Sequence, residues 1–293
     1  MNKIKTYNEL LKELNGANIK EKIQADKLIQ NLLDIILEQE RQEKIKITDF
    51  YQSFDPKNEI HKKEYEKLQK KQILQYFDLT NINFNNYDIS YIDFTNTNAN
   101  IDPQKVSEKN LKYCILSGLD FKNKSFDDTI VVGTNFKGAT NINLDPEKIK
   151  YKSLYKTILG GIDFKGKTFN DVSIGEANFK GATNVNLDPE KIKFRYLNGA
   201  ILEGIDFKGK TFNDVSITGT NFKGAKNVTI NPQALAYKKM ENCIVDNVDF
   251  NNFSFDGIEI NNVNLENALN CTYKKQETEY EYIKKLIKKN SLF

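Results

Sequence analysis

Few residues in this chain are equipped for chemistry. The single histidine, His61, sits in IHKKEYEKL among lysines and glutamates. A general base needs a nucleophile and an orienting group within hydrogen-bond reach, and no such partner lies close by in sequence. His61 therefore reads as a solvated helix residue. Cys114, Cys243 and Cys271 are widely spaced, odd in number and lack a CxxC pair, which argues against a disulfide framework or a zinc site. The recurring FKG tripeptides do not have the GxxxxGK spacing that cradles a phosphate. Asn123-Lys124-Ser125 and Asn227-Val228-Thr229 match a glycosylation sequon, but no export signal gives the match weight. No catalytic, cofactor-binding or metal-binding set is assigned, no cofactor is expected, and the chain reads as a non-enzymatic protein.

Composition sets wider bounds. Hydrophobic residues make up 39% and charged residues 28% of 293 residues, enough apolar material for a long core. The formal net charge of +3 is too small to imply a polyanionic partner from the total. MNKIKTYNELLKELNG holds no signal-peptide core, and no later segment approaches the roughly 18 apolar residues of a membrane span. The expected location is cytoplasmic, with signal-independent secretion as an effector left open.

The organising feature is repetition. GIDFKGKTFNDVSIGEANFKGATNVNLDPEKIK at Gly161 to Lys193 echoes GLDFKNKSFDDTIVVGTNFKGATNINLDPEKIK at Gly118 to Lys150, an offset of 43 residues. Phe121, Phe164, Phe207 and Phe250 keep that spacing, as do Pro103, Pro146, Pro189 and Pro232. Within each unit a finer period of five appears: Phe164, Phe169, Ile174, Phe179, then Leu187, Ile192, Leu197, Leu202, with one eight-residue step between the two runs. Extended from Leu74 to Leu265, this frame selects 37 positions, and every one is apolar in a chain that is 39% apolar overall. A period of five matches neither an α-helix nor a plain strand, so the chain must turn a corner every five residues. Four such corners close a square coil.

The same segments resemble the pentapeptide-repeat family, whose pattern is a small residue, Asn or Asp, a central Leu or Phe, and two variable residues. Ala177-Asn178-Phe179-Lys180-Gly181, Thr134-Asn135-Phe136-Lys137-Gly138 and Thr220-Asn221-Phe222-Lys223-Gly224 carry the resemblance, with Ile162-Asp163-Phe164 and Ile205-Asp206-Phe207 as looser matches. It implies a mostly β fold, a right-handed quadrilateral β-helix with the central residue of each pentapeptide pointing inward. Nine coils at roughly 4.8 Å each would make a rod about 40 to 45 Å long. Cys114 and Cys243 fall two residues before Leu116 and Val245, at the inward small site, so core packing is expected of them.

One position departs from the pattern. Two residues before the second-face centres stand Lys124, Glu147, Lys167, Glu190 and Lys210, and these must reach solvent. The DPEK stretches at Asp145 and Asp188 are expected to make a helical turn there, with Pro pre-set for its first position. The signs alternate, as they do along Lys122, Asp145, Lys165, Asp188 and Lys208, which predicts a self-neutralising ladder across coils. Members of the family that resemble DNA bind topoisomerases and need an acidic rod. Here Leu74 to Asn270 holds 22 Lys and Arg against 24 Asp and Glu, so gyrase modulation by DNA mimicry stands only as the alternative. No basic stripe with interleaved exposed aromatics is evident, and neither nucleic acid nor membrane is expected as a partner.

The flanks read differently. Residues 1–72 show helical signals, including the Thr6-Tyr7-Asn8-Glu9 capping box, and are assigned to an α-helical N-terminal domain or cap. Residues 73–270 form the β-helix. Residues 271–293 place Tyr280, Ile283, Leu286 and Ile287 on one face of an amphipathic helix, a cap or a homodimer contact. The function expected is a scaffold that binds a protein partner, its identity open, as is an effector against a housekeeping role.

Overall fold

The structure is a computed structural model that describes residues 82–273, Leu79, and the isolated helical residues Glu38 and Gln42. The expected helical regions 1–72 and 271–293 lie outside the described residues, apart from Glu38, Gln42 and residues 271–273.

Leu79 and residues 82–273 belong to a β-helix. Parallel backbone pairing runs Ile115 to Asn135 to Ile158 to Asn178 to Ile201 to Asn221 to Ile244 to Asn264, so the chain returns above itself at offsets that alternate between 20 and 23 residues. The longer offset contains the eight-residue step. Where pairing is most extended, β1 (Lys239–Glu241) lies parallel to β2 (Glu259–Asn261) with Met240 opposite Ile260. Bridges are otherwise single residues, because each side of the coil is only long enough for one before the next corner.

Hydrogen bonds explain the corners. The carbonyl of a framed residue accepts from the N–H three residues on, as in Val172 N to Phe169 O at 3.1 Å, Ala177 N to Ile174 O at 3.0 Å and Ala182 N to Phe179 O at 2.8 Å. The second residue past most centres takes positive φ, 58° at Asp171 and 54° at Glu176, which is the signature of a type II or I′ turn; past Ile101, Leu144, Leu187 and Ile230 that place is held by Pro103, Pro146, Pro189 and Pro232 instead. Just before many of the centres, Asn or Asp holds the turn with its side chain: Asn178 Oδ1 accepts from Lys180 N and Asp163 Oδ1 from Lys165 N, both at 2.9 Å. These Asx turns are why the repeat prefers Asn or Asp at that place.

Every framed position from Leu79 to Phe250 is buried, and together they belong to one hydrophobic core. Phe164, Leu187, Phe207, Ile230 and Phe250 are all buried in that core; Thr229 pairs with Asp249, which sets Ile230 over Phe250, whereas around the eight-residue step Asp163 pairs with Thr183 and Thr168 with Asn186. From Phe121 to Val245 coils with three framed phenylalanines alternate with coils that have none, and the coils at either end carry two. Phe164, Phe169 and Phe179 meet with ring centroids 5.1 to 6.2 Å apart, and the triads Phe121, Phe126, Phe136 and Phe207, Phe212, Phe222 repeat the arrangement. The inward small sites are Cys114, Thr134, Thr157, Ala177, Ala200, Thr220 and Cys243. Their hydroxyls and thiols donate to carbonyls of the coil below, Thr134 Oγ1 to Leu111 O at 2.7 Å and Cys243 Sγ to Ile217 O at 3.0 Å. At the far end Phe255, Ile260 and Leu265 are only half-buried.

The DPEK stretches make the expected turn, Lys148 N to Asp145 O and Lys191 N to Asp188 O at 3.1 Å, with the Asp side chains accepting from Glu147 N and Glu190 N; the equivalent place at Pro232–Ala234 is a 3-10 helix where Asn231 receives Gln233 N. One expectation is corrected, because the charged ladder pairs differently. Glu147 Oε1 takes hydrogen bonds from Asn170 N at 3.0 Å and Nδ2 at 2.9 Å, and Glu190 Oε1 does the same with Asn213 at 2.9 and 2.8 Å. Gln104 and Gln233 occupy equivalent places and reach the carbonyls of Asp127 and Asp256. These side chains therefore staple every second junction between coils, and the lysines turn to other acceptors: Lys167 to Asn143 at 2.9 Å and Lys210 to Asp188 at 3.3 Å. Fixed Asn and backbone N–H donors within reach outcompete a flexible lysine for a carboxylate.

One glycine is tied to packing. Gly133 has φ +68°, and a Cβ there would fall 2.1 Å from Cδ1 of Tyr113, whose ring also meets Tyr91 with centroids 5.0 Å apart. Gly133→Ala is expected to destabilise the rod by about 1–3 kcal/mol in urea unfolding. Adding Tyr113→Ser should recover part of the loss, leaving the cost of the left-handed backbone.

Candidate binding surface

Outward residues at one corner distinguish themselves from the self-paired remainder of the surface. Two residues past Ile149, Ile192 and Leu235 stand Tyr151, Phe194 and Tyr237, exposed at 65%, 71% and 75%. Their backbones have φ of 62°, 58° and 59°, a region L-residues with bulky side chains adopt at a cost of roughly 1–2 kcal/mol. In the intervening coils the same corner carries Asp128, Asp171, Asp214 and Gly257, at φ 56°, 58°, 56° and 69°. Asp or Gly thus satisfies the fold at this place, and the aromatic rings gain no burial there. Exposed apolar groups held in a strained backbone point to a role outside folding.

Basic residues line the rings. Lys150 Nζ lies 5.6 Å from the Tyr151 ring centre and Lys193 Nζ lies 5.5 Å from that of Phe194. The next residue along pairs with the aspartate of the coil above: Lys152 with Asp171 at 3.7 Å and Arg195 with Asp214 at 3.0 Å, repeating Lys109 with Asp128 at 3.3 Å. Tyr196 joins the ridge, its ring 6.1 Å from Phe194 and its hydroxyl 3.0 Å from that of Tyr237. The result is a ribbon of flat rings separated by compensated ion pairs. The rings are exposed but stand between neutralised pairs, so they make no uninterrupted basic stripe. The 43-residue spacing of Tyr151, Phe194 and Tyr237 is the trace of this ridge in the sequence.

Residues 196–226 match the family model described as Pentapeptide repeats (8 copies). That segment carries pentapeptide repeats. A search of curated proteins gives no match. Among solved structures, this chain is similar to HetL, a pentapeptide repeat protein involved in heterocyst differentiation regulation from the cyanobacterium Nostoc sp. strain PCC 7120, at 16% identity and a TM-score of 0.24 over 63% of this chain and 81% of that one. It is also similar to two trypsin-treated forms of QnrB1, a plasmid-mediated fluoroquinolone resistance protein. One is 12% identical with TM-score 0.20 over 61% of this chain and 85% of that one. The other is 19% identical with TM-score 0.20 over 72% and 83%. The backbone pairing and the buried frame carry the fold on their own.

Elsewhere, the other residues singled out from the sequence fall in separate places. Cys114 and Cys243 are buried in the core of the rod, where desolvation raises both thiol pKa values and opposes thiolate chemistry. Cys271 is half-buried beyond the last corner, and His61 lies outside the described residues. Among the described residues there is no cluster of three or more potential metal ligands and no helix long and apolar enough to cross a membrane. A shallow depression of about 820 Å³ runs along the first face, lined by Lys122, Lys124, Asn141, Asn143, Asp163 and Lys165. Its polar groups are tied to one another, Asn141 to Asp120 at 2.7 Å and Asn184 to Asp163 at 2.8 Å.

Those Asn contacts, with the backbone N–H two residues on, hold the Asp120, Asp163 and Asp206 carboxyls below the usual carboxylate range. A lowered folded-state pKa contributes stability that is present above the unfolded pKa and lost as pH falls through the folded value. Thermal melts should therefore show a midpoint that declines on acidification below the ordinary carboxylate range. Asp163→Asn should flatten that decline, and an unchanged slope would contradict the assignment. On the ridge, the hydrogen bond to Tyr196 raises the Tyr237 phenol pKa. Ultraviolet titration of Tyr196→Phe should show Tyr237 ionising at lower pH than in the parent chain.

Proposed function

We propose that this protein is a non-enzymatic scaffold that binds a protein partner on the ridge formed by Tyr151, Phe194, Tyr196 and Tyr237. The observation that carries the reading is the set of exposed rings at a corner where neighbouring coils use Asp or Gly. Aromatic and arginine side chains dominate the energetics of protein interfaces, and Arg195 sits within the ridge. The rod suits this use because its core is continuous and its coils are stapled, so the rings keep their spacing before any partner arrives.

Mimicry of DNA toward a topoisomerase would need an uncompensated acidic face. Asp128, Asp171 and Asp214 are each matched by Lys or Arg of the preceding coil, so the ridge offers no such field. Secretion as an effector is compatible with a binding rod and is not required by it.

Affinity capture compares the full chain with a Phe194→Ala, Tyr237→Ala double variant of equal thermal stability. The expected outcome is a protein retained by the parent chain and lost with the variant. Identical capture by both would place binding elsewhere and contradict the ridge.

A further inference from the structure

The ridge has a repeat distance, and that distance selects among partners. Tyr151, Phe194 and Tyr237 recur once every two coils, which at the spacing of paired strands separates neighbouring rings by roughly 9.5 Å along the rod. A left-handed polyproline II helix advances about 9.3 Å per turn of three residues. A peptide in that conformation, laid parallel to the rod, therefore presents the same edge to each successive ring.

The chemistry agrees with the spacing. Polyproline II backbone has no internal hydrogen bonds, so its carbonyls remain free to accept. Along the ridge the donors are the Tyr151 hydroxyl, the one hydroxyl hydrogen that the Tyr196–Tyr237 contact leaves over, Lys150 and Lys193, with Lys152 and Arg195 already paired to Asp171 and Asp214. Proline rings pack flat against aromatic faces and lose little entropy on binding, because their φ is already fixed. The ion pairs Lys152 with Asp171 and Arg195 with Asp214 leave each interval between rings electrically balanced. Balance disfavours a phosphate polymer, which needs uncompensated cations at each step.

Resting on the protein-binding reading above, we infer that the partner docks a proline-rich segment in polyproline II conformation along Tyr151, Phe194 and Tyr237. About seven residues span the three rings, with every third residue facing the ridge. The partner is recognised by conformation and proline spacing more than by charge.

The test is fluorescence anisotropy of a labelled oligoproline of about ten residues, titrated with the full chain, beside a Gly-Ser peptide of equal length. Saturable binding of the oligoproline alone is expected. Phe194→Ala with Tyr237→Ala should weaken it by at least about tenfold, while Lys137→Ala, on another face, leaves it unchanged. Matched circular-dichroism melts establish that the variants are folded. The inference is overturned if the oligoproline does not bind, if the double variant binds equally well, or if cellohexaose binds the ridge in its place. Concentration-dependent self-association abolished by the double variant would also overturn it, because the ridge would then serve a second copy of the chain. Ridge-dependent capture of a protein alongside failure of the oligoproline would refute the polyproline mode and leave the protein-binding reading standing.

Discussion

Everything in this molecule depends on how side chains share the axis of the coil. Backbone pairing fixes the rise per coil at roughly 4.8 Å, so the residues of successive coils must fill a column whose height they cannot change. Alternating a three-phenylalanine layer with an aliphatic one solves that problem. Phe164, Phe169 and Phe179 fill one level while Leu187, Ile192, Leu197 and Leu202 fill the next, and all are buried. The 43-residue duplication is the sequence form of this two-layer unit. Close packing then leaves room only for small groups at the corner sites, where Thr134, Thr157, Thr220, Cys114 and Cys243 bond to the coil below.

Once the interior is fixed, the outside is free to vary, and most of it is used for bonds between coils. Glu147, Glu190, Gln104 and Gln233 tie every second level to the one after it through amide and carbonyl partners. The Asp163 and Asp206 contacts with Asn184 and Asn227 repeat the same logic on another face. The aromatic corner breaks with this economy. Tyr151, Phe194 and Tyr237 leave most of their rings in water and hold left-handed backbone, which is why function is sought there.

The frame was legible from sequence because an apolar side chain at every fifth position leaves a signal that composition alone cannot make. Phe164, Leu187 and Phe207 could be placed in the core from that signal, and all three are buried there. The pairing of Glu147 and Glu190 was not legible, since it depends on Asn170 and Asn213 being held within reach at another level of the coil. The ridge was missed for a related reason. Its rings occupy positions the five-residue pattern leaves variable, and their exposure follows from a turn geometry that only the closed coil defines. Residues 1–72 and most of 271–293 contribute nothing to this comparison, because they fall outside the described residues.

The central claim is a division of labour between rings that face the axis and rings that face water. Equilibrium urea unfolding of Phe179→Ala and Phe194→Ala, measured beside the parent chain, tests it most directly. The account predicts a loss of about 3–5 kcal/mol for Phe179→Ala, a buried member of a ring triad. It predicts a change within about 0.5 kcal/mol for Phe194→Ala, whose ring is exposed. Comparable losses for the two substitutions would contradict it, since the ridge would then be part of what holds the rod together.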